Sequence, residues 1–183
     1  MLLTGLLPDI TTDPAIETAT DSVEAGRSGT IVAPVGIRPP LLAAVASRAA
    51  TPLVVLTATG RDAESLTNAL ASWIPGVAML PAWETLPHER LSPQVDTMAR
   101  RIAVLRRLVH PIKGDDSAGP ISVLVVPIRA FLQPIISGLA DLEPVRVRTG
   151  DILDLTETTN RLAELGYERV DMVEGRGQMS VRG

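Results

Sequence analysis

The sequence predicts an α/β fold, a parallel sheet flanked by helices, followed by the start of a small α+β domain. Three observations carry this. Short, continuously apolar runs recur at residues 30–33, 53–56, 77–80 and 121–126. Segments of helical period separate them, so each strand is followed by a crossover. The pattern then changes near Leu142, where apolar and basic residues alternate over 145–148. The expected organisation is a weakly patterned segment over 1–27, an α/β domain over 28–141 and the beginning of a second domain over 142–183.

The elements follow in order. Residues 13–24 read as a short acidic helix. Thr30, Ile31, Val32 and Ala33 read as a first buried strand, and an Ala-rich helix is expected over 41–50 after the Pro39-Pro40 break. Leu53, Val54, Val55 and Leu56 form a second buried strand. Thr59 is placed to cap a helix over 61–73, with Ala63, Leu66 and Leu70 on one face. Residues 77–80 are the third strand, 121–126 the most hydrophobic one, and 129–135 a short helix. Beyond Leu142, 145–148 reads as a half-exposed strand and 151–165 as a helix ended by Gly166. Residues 167–173 and 179–182 read as two antiparallel strands joined through Glu174-Gly175-Arg176-Gly177.

Composition narrows the function. With 183 residues, 45% of them hydrophobic, the chain can bury a core. There is no cysteine, and only His88 and His110 among the histidines, which removes disulfides, thiolate chemistry and a His-rich metal site. No apolar run reaches the roughly 18 residues of a membrane span, and no signal peptide is read at the N-terminus, so a cytoplasmic protein is expected. The net charge of −4 argues against a general nucleic-acid coat. The cations are 16 arginines and one lysine, Lys113.

The turn at 33–40, Ala-Pro-Val-Gly-Ile-Arg-Pro-Pro, stands where a nucleoside triphosphatase of this class carries its phosphate loop. That loop needs several glycines, a lysine and a Ser/Thr. Here one glycine, no lysine and three prolines stand instead, and Pro127-Ile128 rather than an acidic pair follow the 121–126 run. No nucleotide site, metal site or catalytic group is expected.

The loop over 81–93 holds three prolines and Trp83, one of two tryptophans. It is expected to be shaped and packed, with Trp83 buried against the α/β domain. Trp83, Glu84, His88 and Glu89 do not amount to a catalytic cluster, because no second set of polar groups converges on them. The helix over 94–109 should bury a stripe of Val95, Met98, Ile102, Leu105 and Val109. Arg100, Arg101, Arg106 and Arg107 then lie opposite or beside the stripe. They are candidates for a DNA or partner contact, although solvated arginines with stems over apolar surface explain them as well.

The run LPAWETLPHERLSPQVDTMARRIAVLRRL and the later GYERVDMV followed by VRG resemble the N-terminal, UvrB-like module of bacterial transcription-repair coupling factors. The resemblance covers about residues 28–183. It implies a degenerate P-loop, helicase-like domain and then the opening of a UvrA-contacting domain. Arg169 and Arg182 match positions that help bind UvrA, and Arg176 is an additional candidate. Ser180 stands where UvrB has a further arginine, and Met179 replaces an aromatic, so the contact is expected to differ in detail. The resemblance further implies a much larger parent. That parent displaces RNA polymerase stalled at DNA damage by ATP-driven translocation on double-stranded DNA. Its ATP and magnesium sit in a motor module elsewhere, and this part helps hold it autoinhibited. A small nucleotide-dependent enzyme and a direct DNA-binding module are the alternatives.

Overall fold

The computed structural model describes residues 3–85 and 94–182. Its centre is a three-stranded parallel sheet in the order β1–β3–β2, with β1 at Leu53–Thr57, β2 at Val77–Met79 and β3 at Val123–Pro127. Leu53 registers with Val123 on one side of β3, and Val77 with the same Val123 on the other. A central parallel strand must be apolar on both faces, and β3 is buried at every position.

The two faces of β3 hold separate cores. Val123 and Val125 meet Ala43 and Ala46 of α3 (Arg38–Arg48) and Ala63 and Leu70 of α4 (Gly60–Leu70). Leu124 and Val126 meet Val104 of α5 (Val95–Val109) and Ala130 of α6 (Ile128–Phe131). Alternation along the strand therefore assigns odd positions to one helical layer and even positions to the other. Gly76 is required where it stands: its φ is +75°, and a Cβ would lie 2.8 Å from the Pro120 carbonyl oxygen.

The weakly patterned N-terminal segment folds onto this module. The helices α1 (Leu7–Thr11) and α2 (Pro14–Glu24) pack on α3, with Ile16, Ala19, Leu41 and Ala44 forming a third cluster. Asp13 caps α2 by accepting from the amides of Ala15 and Ile16. Arg48 at the end of α3 pairs with Glu24 and Asp21 of α2.

Several expectations are corrected. Residues 30–33 form no strand; Ile31 and Val32 lie in irregular chain, Val32 being 95% exposed. The strand over 53–56 exists but is an edge, so Val54 and Leu56 are exposed rather than buried. Residues 145–148 are irregular. The terminal strands are shorter than expected, β4 at Glu168–Arg169 and β5 at Gln178–Met179, and they pair in parallel, not antiparallel. A parallel pair needs the chain to cross back, and residues 170–177 do so without regular structure. Between the two parts, α7 (Leu155–Glu164) is capped by Asp154, which accepts from the Glu157 amide, and is followed by Gly166 at φ +87°.

Candidate partner-binding surface

The Trp83 loop is held through its backbone. The Gln133 side chain accepts from the Trp83 amide at 2.8 Å and donates to the Trp83 carbonyl at 3.3 Å. Arg101 donates to the Pro81 carbonyl at 2.6 Å, and Arg129 to the Glu84 carbonyl at 3.0 Å. Carbonyls of an irregular segment need donors when water is excluded, and these side chains supply them. The Thr97 hydroxyl donates to the Glu84 carboxylate, which holds that carboxyl below its usual range.

Trp83 itself, expected to be mostly buried, is partly buried, short of complete burial. Its ring is instead covered by the Arg101 guanidinium, 4.4 Å from the centroid. His88 and Glu89 lie outside the described residues.

Helix α5 is turned from the expected orientation. Its buried residues are Thr97, Arg101, Val104 and Leu105. At 100° per residue this face is centred roughly 90° from the expected stripe of Val95, Met98, Ile102, Leu105 and Val109, of which Leu105 alone is buried as expected. Val95, Met98 and Val109 consequently remain exposed. The rotation also redistributes the arginines. Arg101 is only 1% exposed, and burial pushes its guanidinium below its ordinary value. Arg106 donates to the Leu142 carbonyl at 3.1 Å, and Arg107 to the Gly119 carbonyl at 2.8 Å. Arg100 remains exposed and pairs with Asp96 one turn earlier at 2.7 Å. The four arginines therefore do not form one cationic face: three serve as internal donors to loops.

The terminal pair presents its cations differently. The Glu168 amide donates to the Gly177 carbonyl at 2.8 Å and the Val170 amide to the Met179 carbonyl at 2.9 Å, the two rungs of the parallel ladder. Met179 is buried, whereas Arg169, its register partner, is exposed. Gln178 accepts from the amides of Glu174 and Gly175, shaping the turn before β5. Arg182 is exposed and reaches back to the Asp171 carbonyl at 2.9 Å; Ser180 donates to the same oxygen at 3.0 Å. Arg176 is exposed and pairs with Asp96 at 2.5 Å. Tyr167, Met172 and Val173, on the same stretch of chain, are also exposed. Arginines interspersed with exposed apolar side chains suit an acidic protein surface.

Among the described residues, no group of carboxylates and histidines is arranged to hold a metal ion, and no helix is long and apolar enough to cross a membrane.

Residues 145–183 match the family model of the UvrB interaction domain. The transcription-repair-coupling factors of Mycobacterium bovis and Mycobacterium tuberculosis are each 46% identical over 157 residues, 84% of this chain. Over most of its length the chain is similar to transcription-repair-coupling factors. The coupling factor of Escherichia coli is 27% identical over 145 residues, 78% of this chain. The chain spans about an eighth of these relatives, 12% of their length. Gln133, Arg129 and Thr97 are positioning groups that sequence reasoning missed. Single polar residues at helix ends carry no pattern that marks their loop partners.

Proposed function

We propose that this chain supplies the UvrA-recruiting part of a coupling factor, with Arg169 and Arg182 as contact residues and Arg176 beside them. The match of residues 145–183 to the UvrB interaction domain carries the reading. The exposure of both arginines on the terminal pair supports it. In the same reading, the parent uses ATP-driven movement on double-stranded DNA to displace RNA polymerase stalled at lesions, and UvrA then begins nucleotide excision repair. The α/β module is a degenerate P-loop, helicase-like domain that takes no part in nucleotide chemistry. The start of α3 supports this: Pro39 and Pro40 occupy its first turn, so two amides that a phosphate would need are missing.

The experiment is UvrA titration against the chain and its Arg169→Ala/Arg182→Ala variant, with circular dichroism as a check on folding. A loss of about 30-fold or more is expected for two central arginines. Wild-type affinity in a folded variant places the contact elsewhere. The alternative of direct DNA binding through α5 is not favoured, because Arg101, Arg106 and Arg107 are occupied by backbone carbonyls.

A further inference from the structure

Three consecutive residues at the start of α5 touch two separate parts of the molecule. Val95 lies against Gly177: a Cβ on that glycine would stand 2.9 Å from the Val95 Cγ1. Asp96 receives Arg176 on one carboxylate oxygen at 2.5 Å and Arg100 on the other at 2.7 Å. Thr97 donates to the Glu84 carboxylate of the Trp83 loop. The turn before β5 is thus seated on the same helical turn that holds the loop after β2.

We infer that residues 95–97 are a positioning junction: Val95 and Asp96 orient the terminal strand pair on the α/β module, and Thr97 ties that seat to the Trp83 loop. The role toward UvrA rests on the function proposed above; the seat itself does not. The terminal pair cannot orient itself. It has two residues per strand, and Met179 is its single buried side chain. Its orientation must therefore come from a neighbour, and the 176–177 turn makes such a contact with α5.

The two halves of the seat differ in strength. Arg176 is 70% exposed and Asp96 34%, so their ion pair is screened and contributes less than tenfold in any equilibrium it influences. The steric half is stricter. Gly177 has φ +81°, which disfavours any side chain, and Val95 leaves no room for a Cβ. Gly177→Ala is hindered twice, and Val95→Ala relieves only the second hindrance.

The test uses the 183-residue chain and two readouts, amide exchange at Glu168 and Val170 and affinity for UvrA. Gly177→Ala is expected to speed exchange at both amides at least tenfold, and Gly177→Ala/Val95→Ala to recover part of that. Asp96→Ala should give a several-fold increase, reversed by exchanging the two charges in Asp96→Arg/Arg176→Asp. UvrA affinity should fall in Gly177→Ala and recover in part in Gly177→Ala/Val95→Ala, while exchange in β3 stays unchanged; the charge exchange is read by amide exchange alone, because Arg176 stands beside the proposed contact residues. Unchanged exchange in both Gly177→Ala and Asp96→Ala overturns the seat. Faster exchange with undiminished UvrA binding overturns the positioning role. If Arg169→Ala/Arg182→Ala binds UvrA like wild type, the proposed function fails, and the seat stands or falls on the exchange data alone.

Discussion

The α/β module and the terminal strand pair use the same kinds of residue and reach opposite outcomes. β3 is buried at all five positions, between two helical layers. Helix α7, by contrast, has no buried residue, and β4 is exposed throughout. Both regions have capped helices, glycine turns and strand ladders. The difference is that only the first has enough elements to close both faces of a strand. Local signals therefore suffice to form pieces, but a core needs layers. The region without a core is the one that leaves Arg169 and Arg182 exposed.

The largest effect that would break this comparison is in the first core. Leu70 is fully buried, so Leu70→Ala should cost about 2–5 kcal/mol, read as a lower urea midpoint. Leu155, in α7, is 61% exposed, and Leu155→Ala should change the midpoint by less than about 0.5 kcal/mol. Equal costs would mean that the terminal region has a core of its own.

Next is Trp83, at the edge of the first module. Its half-burial and its stacking with Arg101 predict about 1–3 kcal/mol for Trp83→Ala, less than full burial would require. Arg101→Lys should recover little of an Arg101→Ala loss, because a lysine cannot both reach the Pro81 carbonyl and lie flat on the ring. Full recovery would show that only charge is needed.

Smaller still are the caps. Asp13 and Asp154 make the same kind of cap on α2 and α7. Each Ala variant should remove about 1 kcal/mol of helix stability. Only Asp13→Ala should shift the global midpoint. Asp154→Ala should instead raise amide exchange locally in α7, because little else is coupled to that helix.

The smallest effect is acid sensitivity. The Asp115 carboxyl is held down to about 2, chiefly by the Ser117 hydroxyl and then by the amides of Ala118 and Ser117. A depressed carboxyl stabilises the fold above its unfolded value of 3.8 and loses that contribution as pH falls toward about 2. Asp115→Asn should flatten the midpoint against pH in that window and leave it unchanged in slope above pH 5. A slope change near neutrality would point to another group.

Much of the molecule was legible in its residues. Continuous apolar runs at 53–56, 77–80 and 121–126 became β1, β2 and β3, and the most apolar run is the central strand that is covered on both faces. Asp13, Thr59 and Asp154 are local caps whose signal needs no tertiary context. The failures are equally physical. The β-branched residues at 30–33 have strand character but no strand beside them among the described residues, and propensity without a pairing partner does not make a ladder. The rotation of α5 was hidden because an apolar stripe shows which residues could be buried, not which layer claims them.

The sequence by itself determined the α/β class, the order of β1, α4, β2, α5 and β3, the missing phosphate-binding donors and the resemblance that pointed to Arg169 and Arg182. These depend on period, local chemistry and motif order, all of which are written along the chain. Only the tertiary structure decided that Arg101 lies inward over Trp83, that Arg106 and Arg107 serve loop carbonyls, and that the terminal strands run parallel, seated on Val95 and Asp96. Each of these depends on what a side chain meets from a distant part of the chain, and unpaired carbonyls and a glycine without clearance have no signature until the layers are assembled.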